Sequence, residues 1–198
     1  MPNEPLHIAN NLLNSFKAFI GSHFALNVVN SIQSDVILKD NASAFETLQL
    51  FNRVYKTAIR SSNEHFVDLE TETAFLKDYL TLEQLRFPGL KSARITTGNI
   101  NPESQVPSFV FQSLLENGLL LSLANSSGKI RIHINQVGDE ITFSLKLDAK
   151  TNQPFHTKVE AKTQLAIQRL ELLQEHRYIR YQLDWSSDLF MHLTLSKI

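Results

Sequence analysis

The scarcity of proline and glycine in the first half is the feature that most constrains the fold of this chain. Between residues 6 and 87 there is no proline, and Gly21 is the only glycine. Nothing in this stretch therefore interrupts long helices. Apolar residues recur there at steps of three and four, which is the helical period. The pattern predicts three helices, over about residues 6–38, 42–61 and 69–87.

The spacing of apolar residues changes after the dipeptide Pro88-Gly89, which predicts a turn and a domain boundary. Two later segments alternate apolar and polar residues as half-buried strands do, and Gly138 lies between them as a hairpin turn. The patterns predict strands or extended segments at 92–100, 129–136, 140–147, 178–185 and 189–196, and helices at 109–124 and 159–176.

The sequence therefore predicts an α+β protein with two domains. A helical domain covers residues 1–88, and an α/β sandwich with a mixed, mainly antiparallel sheet covers residues 89–198. A hairpin of two long helices cannot bury both sides of its apolar stripe alone. We expect a homodimer in which two hairpins make a four-helix bundle, while a docked partner or a missing domain would serve as well.

Charge and composition exclude several classes of protein. Nineteen Lys and Arg against 20 Asp and Glu give a formal net charge of −1, which argues against a nucleic-acid partner held by a broad basic surface. The chain has no cysteine, so disulfides and cysteine-based metal sites are excluded. The most apolar stretch is too polar for a membrane span, and the first residues lack the pattern of a secretory signal. We therefore expect a cytoplasmic location.

Three blocks of the chain match one family, in that family's order. The first is Ser-His-Phe-Ala-Leu-Asn at 22–27, followed by Asn-Ser-Ile at 30–32. The second has Leu, Glu, Tyr, Leu, Glu, Arg and Phe at 69, 72, 79, 80, 83, 86 and 87. The third runs from Val106-Pro107 through Gln112 to Leu115-Glu116-Asn117. Together the blocks resemble the LytS-type sensor histidine kinases. The resemblance implies a dimerisation and phosphoacceptor domain, followed by an ATPase-like domain of the gyrase–Hsp90–histidine-kinase–MutL group.

The resemblance implies that His23 is the phosphoacceptor. Of the seven histidines, His23 alone lies within a motif. That motif departs from the family at two places, where Ser22 replaces a proline and Ala25 replaces an aromatic residue. From helical spacing alone, a partly buried histidine in an interface is the favoured interpretation.

The resemblance also implies a nucleotide site, in which Glu116 is a base-like carboxylate and Asn117 a ligand for Mg²⁺. The residues after them, 118–122, are Gly-Leu-Leu-Leu-Ser, where the family has basic and polar residues near the phosphates. Asp148 is the candidate to bind the adenine amine, but a gapless alignment places it one residue late, which turns a strand side chain to the other face.

The glycines that bring the backbone close to a nucleotide are missing, because none follows Gly138. We therefore expect impaired ATP binding, with ATP and Mg²⁺ as cofactors only if the site works. The favoured alternative is that Glu116 and Asn117 form a solvated pair on an otherwise apolar helix, or a polar contact at a helix end.

Three functions follow from these observations. The first is a dimeric signalling module with weak or lost kinase activity that binds a response regulator or a partner kinase. The second is a histidine phosphotransferase that relays a phosphoryl group through His23 and needs no ATP pocket. The third is a working ATP-dependent autokinase with an unusual lid.

Overall fold

A computed structural model describes residues 23–90, 92–124, 129–148, 161–186 and 190–197. The elements in chain order are α1 (His23–Ile37), α2 (Asn41–Ser61), β1 (Phe66–Asp68), α3 (Leu69–Arg86), a 3₁₀ turn (Pro88–Leu90), β2 (Arg94–Thr97), β3 (Gln105–Pro107), α4 (Val110–Ala124), β4 (Lys129–Val137), β5 (Glu140–Asp148), α5 (Ala161–Glu175), β6 (Ile179–Ser186) and β7 (Phe190–Lys197). The α+β class is confirmed. Residues 6–22 of the predicted first helix lie outside the described residues.

Helices α1 and α2 form an antiparallel hairpin at the start of the described chain. Helix α2 begins where the Asp40 carboxylate accepts the Ser43 N–H at 3.0 Å, which satisfies one of the free donors of its first turn. The inner side of α2 is buried, at Ala44, Thr47, Leu50, Val54, Ala58 and Ser61. Because α2 contacts both α1 and α3, it joins the hairpin to the rest of the molecule.

The outer side of this hairpin is apolar and exposed. We call it the apolar hairpin face, and it consists of Leu26, Val29, Val36, Phe45, Leu48, Tyr55 and Ile59. Its α2 members recur at steps that place them on one side of the helix. The predicted dimeric bundle would cover this face, and it stays a prediction.

The sheet has five strands in the order β2-β4-β5-β7-β6. Strand β2 pairs with β4 in parallel, and every other neighbouring pair is antiparallel. The mixed, mainly antiparallel sheet is therefore confirmed. The β4–β5 hairpin turns at Gly138, whose φ of +59° is the left-handed conformation that glycine adopts without strain.

One face of the sheet carries helices α4 and α5 and forms the core. Alternate residues of β4 and β5, such as Ile132 and Leu145, are buried there. Helix α4 packs on this face through Phe111, whose ring stacks on Phe143 with centroids 5.0 Å apart. Gly118 lets α4 approach closely, since an added Cβ would lie 2.7 Å from Cδ1 of Leu145. Among the described residues, no helix is long and apolar enough to cross a membrane.

Helix α3 contacts residues on both sides of the Pro88 turn. The short strand β1 directly before it pairs antiparallel with β3, with Phe66 opposite Pro107. Strands β1 and β3 were not predicted from the sequence, because three residues are too few to show alternation. The domain boundary at residue 88 stays a prediction, and α3 packs against α2 before it and α4 after it.

Candidate functional site

Glu116 and Asn117 lie together on α4 and are both buried. One oxygen of Glu116, Oε1, accepts two hydrogen bonds of 2.6 Å, from the hydroxyl of Tyr79 on α3 and from Nε2 of Gln112 one turn earlier. Asn117 is 0% exposed. The carboxylate is therefore held by two protein donors, and the amide is closed off from solvent. The interpretation of the two residues as a solvated pair is wrong, because α4 packs with both side chains inside.

The helical turn after Asn117 carries leucine side chains, as the sequence indicates. Leu119 and Leu121 are buried in the core, whereas Leu120 is 47% exposed. An aliphatic side chain cannot neutralise a phosphate group, so this turn supplies no charge for a nucleotide.

Asp148 does not join the Glu116–Asn117 pair. It ends β5 on the face opposite to the buried Leu147, and its Oδ2 pairs with Nη2 of Arg131 at 2.6 Å. Both of these side chains lie on the open face of the sheet, which carries no described helix. The cause is the register of β5, since neighbouring residues of a strand point to opposite faces. The segment 149–160, where the family has its glycine-rich loop, lies outside the described residues.

These side chains, as placed, do not fit a magnesium–nucleotide group. The proposed metal ligand Asn117 is fully buried, and one oxygen of Glu116 already accepts hydrogen bonds from protein donors. Asp148 lies on the other face of the sheet. Among the described residues, no group of three or more His, Asp or Glu could hold a metal ion.

The predicted acceptor His23 is the first residue of α1, and its side chain lies outside the described part of the structure. The next residue, Phe24, is buried against α3. Its ring stacks on Tyr79 with centroids 5.3 Å apart, and the Arg86 guanidinium lies 5.8 Å from the ring centroid. Arg86 is itself paired with Glu83. The second motif block thus lies between the helix of the acceptor and the helix of Glu116.

Glu72 of the same block caps the start of α4. Its carboxylate accepts the backbone N–H of Phe109 at 3.1 Å and that of Phe111 at 3.2 Å. Phe109 has a φ of +63°, a conformation that is costly for a residue with a bulky side chain. The cap satisfies donors that α4 would otherwise leave without partners in the core. The position of Glu72 near a helix start favours a solvated acidic face from sequence alone. That interpretation is wrong for Glu72, which is 2% exposed and whose partners are backbone groups about 37 residues away.

Arg169 of α5 completes this buried cluster. Its guanidinium donates to the carbonyl oxygens of Ser108 and His65, and its charge favours the ionised form of Glu72. Burial nevertheless dominates and raises the pKa of Glu72 to about 7, against the opposing effects of the Phe109 and Phe111 N–H groups and of Arg169. Burial likewise lowers the pKa of Arg169 to about 10.

Comparison with known proteins finds similarity to histidine kinases. A family profile described as "Histidine kinase" matches residues 11–90. The sensor histidine kinase/phosphatase LytS of Staphylococcus aureus (strain Mu50) is 26% identical over 130 residues, which is 66% of this chain and 22% of LytS. In both comparisons the chain resembles the LytS-type histidine kinases. It spans 22% of the length of this relative. The resemblance inferred from the three blocks is confirmed.

Solved structures of histidine kinases align with this chain. The histidine kinase domain of the blue-light activated kinase from Erythrobacter litoralis EL346 aligns over 96% of this chain and 95% of its own, with 9% identity and a TM-score of 0.45. The catalytic domain of the histidine kinase ThkA aligns over 67% of this chain and 95% of its own, with 12% identity and a TM-score of 0.43.

Replacement of the Glu72 carboxyl by an amide tests the buried cluster. Glu72 is expected to bind a proton more tightly in the folded protein, so its contribution to stability is complete below pH 4.5 and is lost as pH rises through about 7. The loss is on the order of 3 kcal/mol for a shift of this size. Glu72→Gln should remove this part of the pH dependence of the free energy of unfolding, measured by urea denaturation between pH 4.5 and pH 8.

Glu70→Gln is the matched control, because Glu70 is exposed on the same helical turn. It should leave the pH dependence as in the wild type. If Glu72→Gln and the wild type gave parallel profiles, Glu72 would not titrate in this range.

Proposed function

We propose that this chain is a two-component signalling module that acts as a dimer, binds a response regulator or a partner kinase, and has little or no ATP-dependent autokinase activity. The observation that carries the proposal is the closed state of the Glu116–Asn117 pair. An ATP-dependent kinase needs these side chains open toward a metal and three phosphates.

The sequence around that pair gives further support. Leu120 is exposed at a turn where the family has polar and basic residues, and no glycine follows Gly138. Asp148 lies on the open face of the sheet, in an ion pair with Arg131. The same observations argue against a working autokinase, which is the third candidate function.

The second candidate is phosphotransfer through His23, and its support is the position of His23 at the start of α1 in the helical hairpin. In this reaction an imidazole nitrogen of His23 attacks the acyl phosphate of a regulator aspartate. An N–P bond forms, the P–O bond to the aspartate breaks, the carboxylate leaves, and the imidazole proton goes to solvent. The regulator supplies the metal ion, so the chain needs no nucleotide site.

The dimer in this proposal is supported by the apolar hairpin face. Exposed apolar residues recur along both helices, and Phe45 is 61% exposed. A second copy of the hairpin would bury this face as the core of a four-helix bundle. Two copies would also present two His23 segments on one bundle.

The closed nucleotide site predicts weak ATP binding. In a titration of the protein with Mg²⁺-ATP, followed by calorimetry, we expect no saturable binding below millimolar concentration. Asn117→Ala is the control, because it removes the proposed metal ligand. If the wild type bound Mg²⁺-ATP with a micromolar dissociation constant and Asn117→Ala did not bind it, the autokinase would become the favoured function.

The apolar hairpin face predicts a dimer that a charge can split. Phe45→Lys combined with Leu48→Lys should shift the protein from dimer to monomer in light scattering at micromolar concentration, because two buried charges would be unpaired in the bundle. Gln49→Lys is the control, since Gln49 is an exposed polar residue of the same helix, and it should leave the dimer intact. A monomeric wild type would contradict the bundle.

The phosphotransfer candidate predicts that label passes through His23. Wild type incubated with a phosphorylated response regulator should gain acid-labile phosphate, and His23→Gln should gain none while remaining folded and dimeric. His176→Gln removes an exposed histidine elsewhere and should be labelled normally. Label on His23→Gln would mean that another residue is the acceptor. An unlabelled wild type would rule out phosphotransfer and leave the regulator-binding module as the proposed function.

A further inference from the structure

Phe24, the residue after His23, is held by two side chains of α3. Its ring is 8% exposed and stacks on Tyr79, with centroids 5.3 Å apart and an interplanar angle of 26°. The guanidinium of Arg86 lies over the same ring at 5.8 Å from its centroid. Stacking and cation–π attraction each favour this arrangement. We call these three residues the Phe24 clasp.

The other end of Tyr79 is fixed on α4. Its hydroxyl donates to Oε1 of Glu116 at 2.6 Å, and Gln112 donates to the same oxygen. Burial raises the pKa of Tyr79 well above its ordinary value, with the charge of Glu116 as the next cause. The hydroxyl therefore keeps its proton at physiological pH and continues to donate.

Tyr79 thus joins two helices through one rigid group. An aromatic side chain has two rotatable bonds, so its ring and hydroxyl cannot move independently. A shift of Glu116 displaces the hydroxyl and turns the ring against Phe24. In the same way, removal of Phe24 frees the ring and loosens the hold on Glu116.

We infer that Tyr79 is a positioning residue that couples the helix beginning at His23 to Glu116, and that the Phe24 clasp sets how firmly that helix is docked. The regulatory meaning of this link rests on the proposed function, since it concerns the access of a response regulator to His23. Docked α1 keeps Phe24 buried, and release of the clasp frees the start of the helix that carries the acceptor.

The first experiment removes the hydroxyl alone. Tyr79→Phe keeps the ring against Phe24 and deletes the bond to Glu116. A net hydrogen bond of about 1 kcal/mol corresponds to about a fivefold change in an equilibrium. Amides of residues 28–37 of α1 should therefore exchange with deuterium about fivefold faster, whereas sheet amides such as those of Phe143 and Leu193 should change by a smaller factor.

Tyr178→Phe is the matched control. Tyr178 is a half-exposed tyrosine between α5 and β6, outside the apolar hairpin face, and its loss of a hydroxyl should leave exchange in α1 unchanged. Equal acceleration of α1 and sheet amides in Tyr79→Phe would mean a general loss of stability and would overturn the inference. Unchanged exchange in α1 would overturn it too.

A double-mutant cycle tests whether the hydroxyl acts through Phe24. Phe24→Leu removes the ring that Tyr79 and Arg86 contact, with a small change in volume, and should also accelerate exchange in α1. When Tyr79→Phe is added to Phe24→Leu, the further acceleration should fall from about fivefold to nearly none, because the route from Glu116 to α1 is already cut. Full additivity would show that the two residues act independently.

A functional readout separates this inference from the proposed function. If His23 accepts phosphate from a regulator, Tyr79→Phe should raise the rate of labelling several-fold relative to wild type and Tyr178→Phe, because α1 is released. If no variant is labelled while the exchange results hold, phosphotransfer fails and the coupling stands. If labelling occurs at equal rates in all variants and exchange in α1 is unchanged, the coupling fails and phosphotransfer stands.

Discussion

The buried carboxylate of Glu72 is the interaction on which the rest of the structure depends. It accepts two backbone N–H groups at the start of α4, at a point where Phe109 is held in a left-handed conformation. Without this acceptor, two donors would be buried without partners, which costs more than the net value of the bonds themselves. Glu72 therefore fixes where α4 begins. The Arg169 guanidinium holds the same corner from α5 by binding the carbonyl groups of Ser108 and His65.

The position of α4 then sets the chemistry of the candidate site. With its start fixed by Glu72 and its middle held close to the sheet at Gly118, the helix directs Glu116 toward Tyr79 and buries Asn117. The hydrogen bonds that hold Glu116 also leave its carboxylate less available to a metal. The site is thus better built to hold helices together than to hold a nucleotide, and this is why we favour a signalling module over an autokinase.

Helix α3 explains how a single motif block serves both halves of the chain. Glu72 at its first turn binds α4, Tyr79 in its middle contacts both α1 and α4, and Arg86 at its end lies over Phe24. These three residues lie seven apart, so they fall close to one side of the helix. The block that carries part of the family resemblance is therefore also the physical connection between the acceptor helix and the sandwich.

Much of the architecture followed from local patterns. The alternation in 129–136 and 140–147 predicted β4 and β5, because each strand buries one face. The spacing in 42–61 predicted α2, because one side of that helix is buried and the other is exposed. The one-residue offset of Asp148 also indicated its face correctly, because the two-residue period of a strand is set by geometry. Strand β1 was missed since three residues carry no period.

The sequence by itself determined the order of the longer helices and strands, the resemblance to the histidine kinases and the absence of glycine after Gly138. Only the tertiary structure decided what Glu72, Tyr79 and Arg86 do. Their partners are backbone groups and rings that are distant in sequence, so no spacing along the chain could show them. The same holds for the closure of the Glu116–Asn117 pair, because burial is a property of how elements pack and a side chain's own sequence neighbours do not fix it.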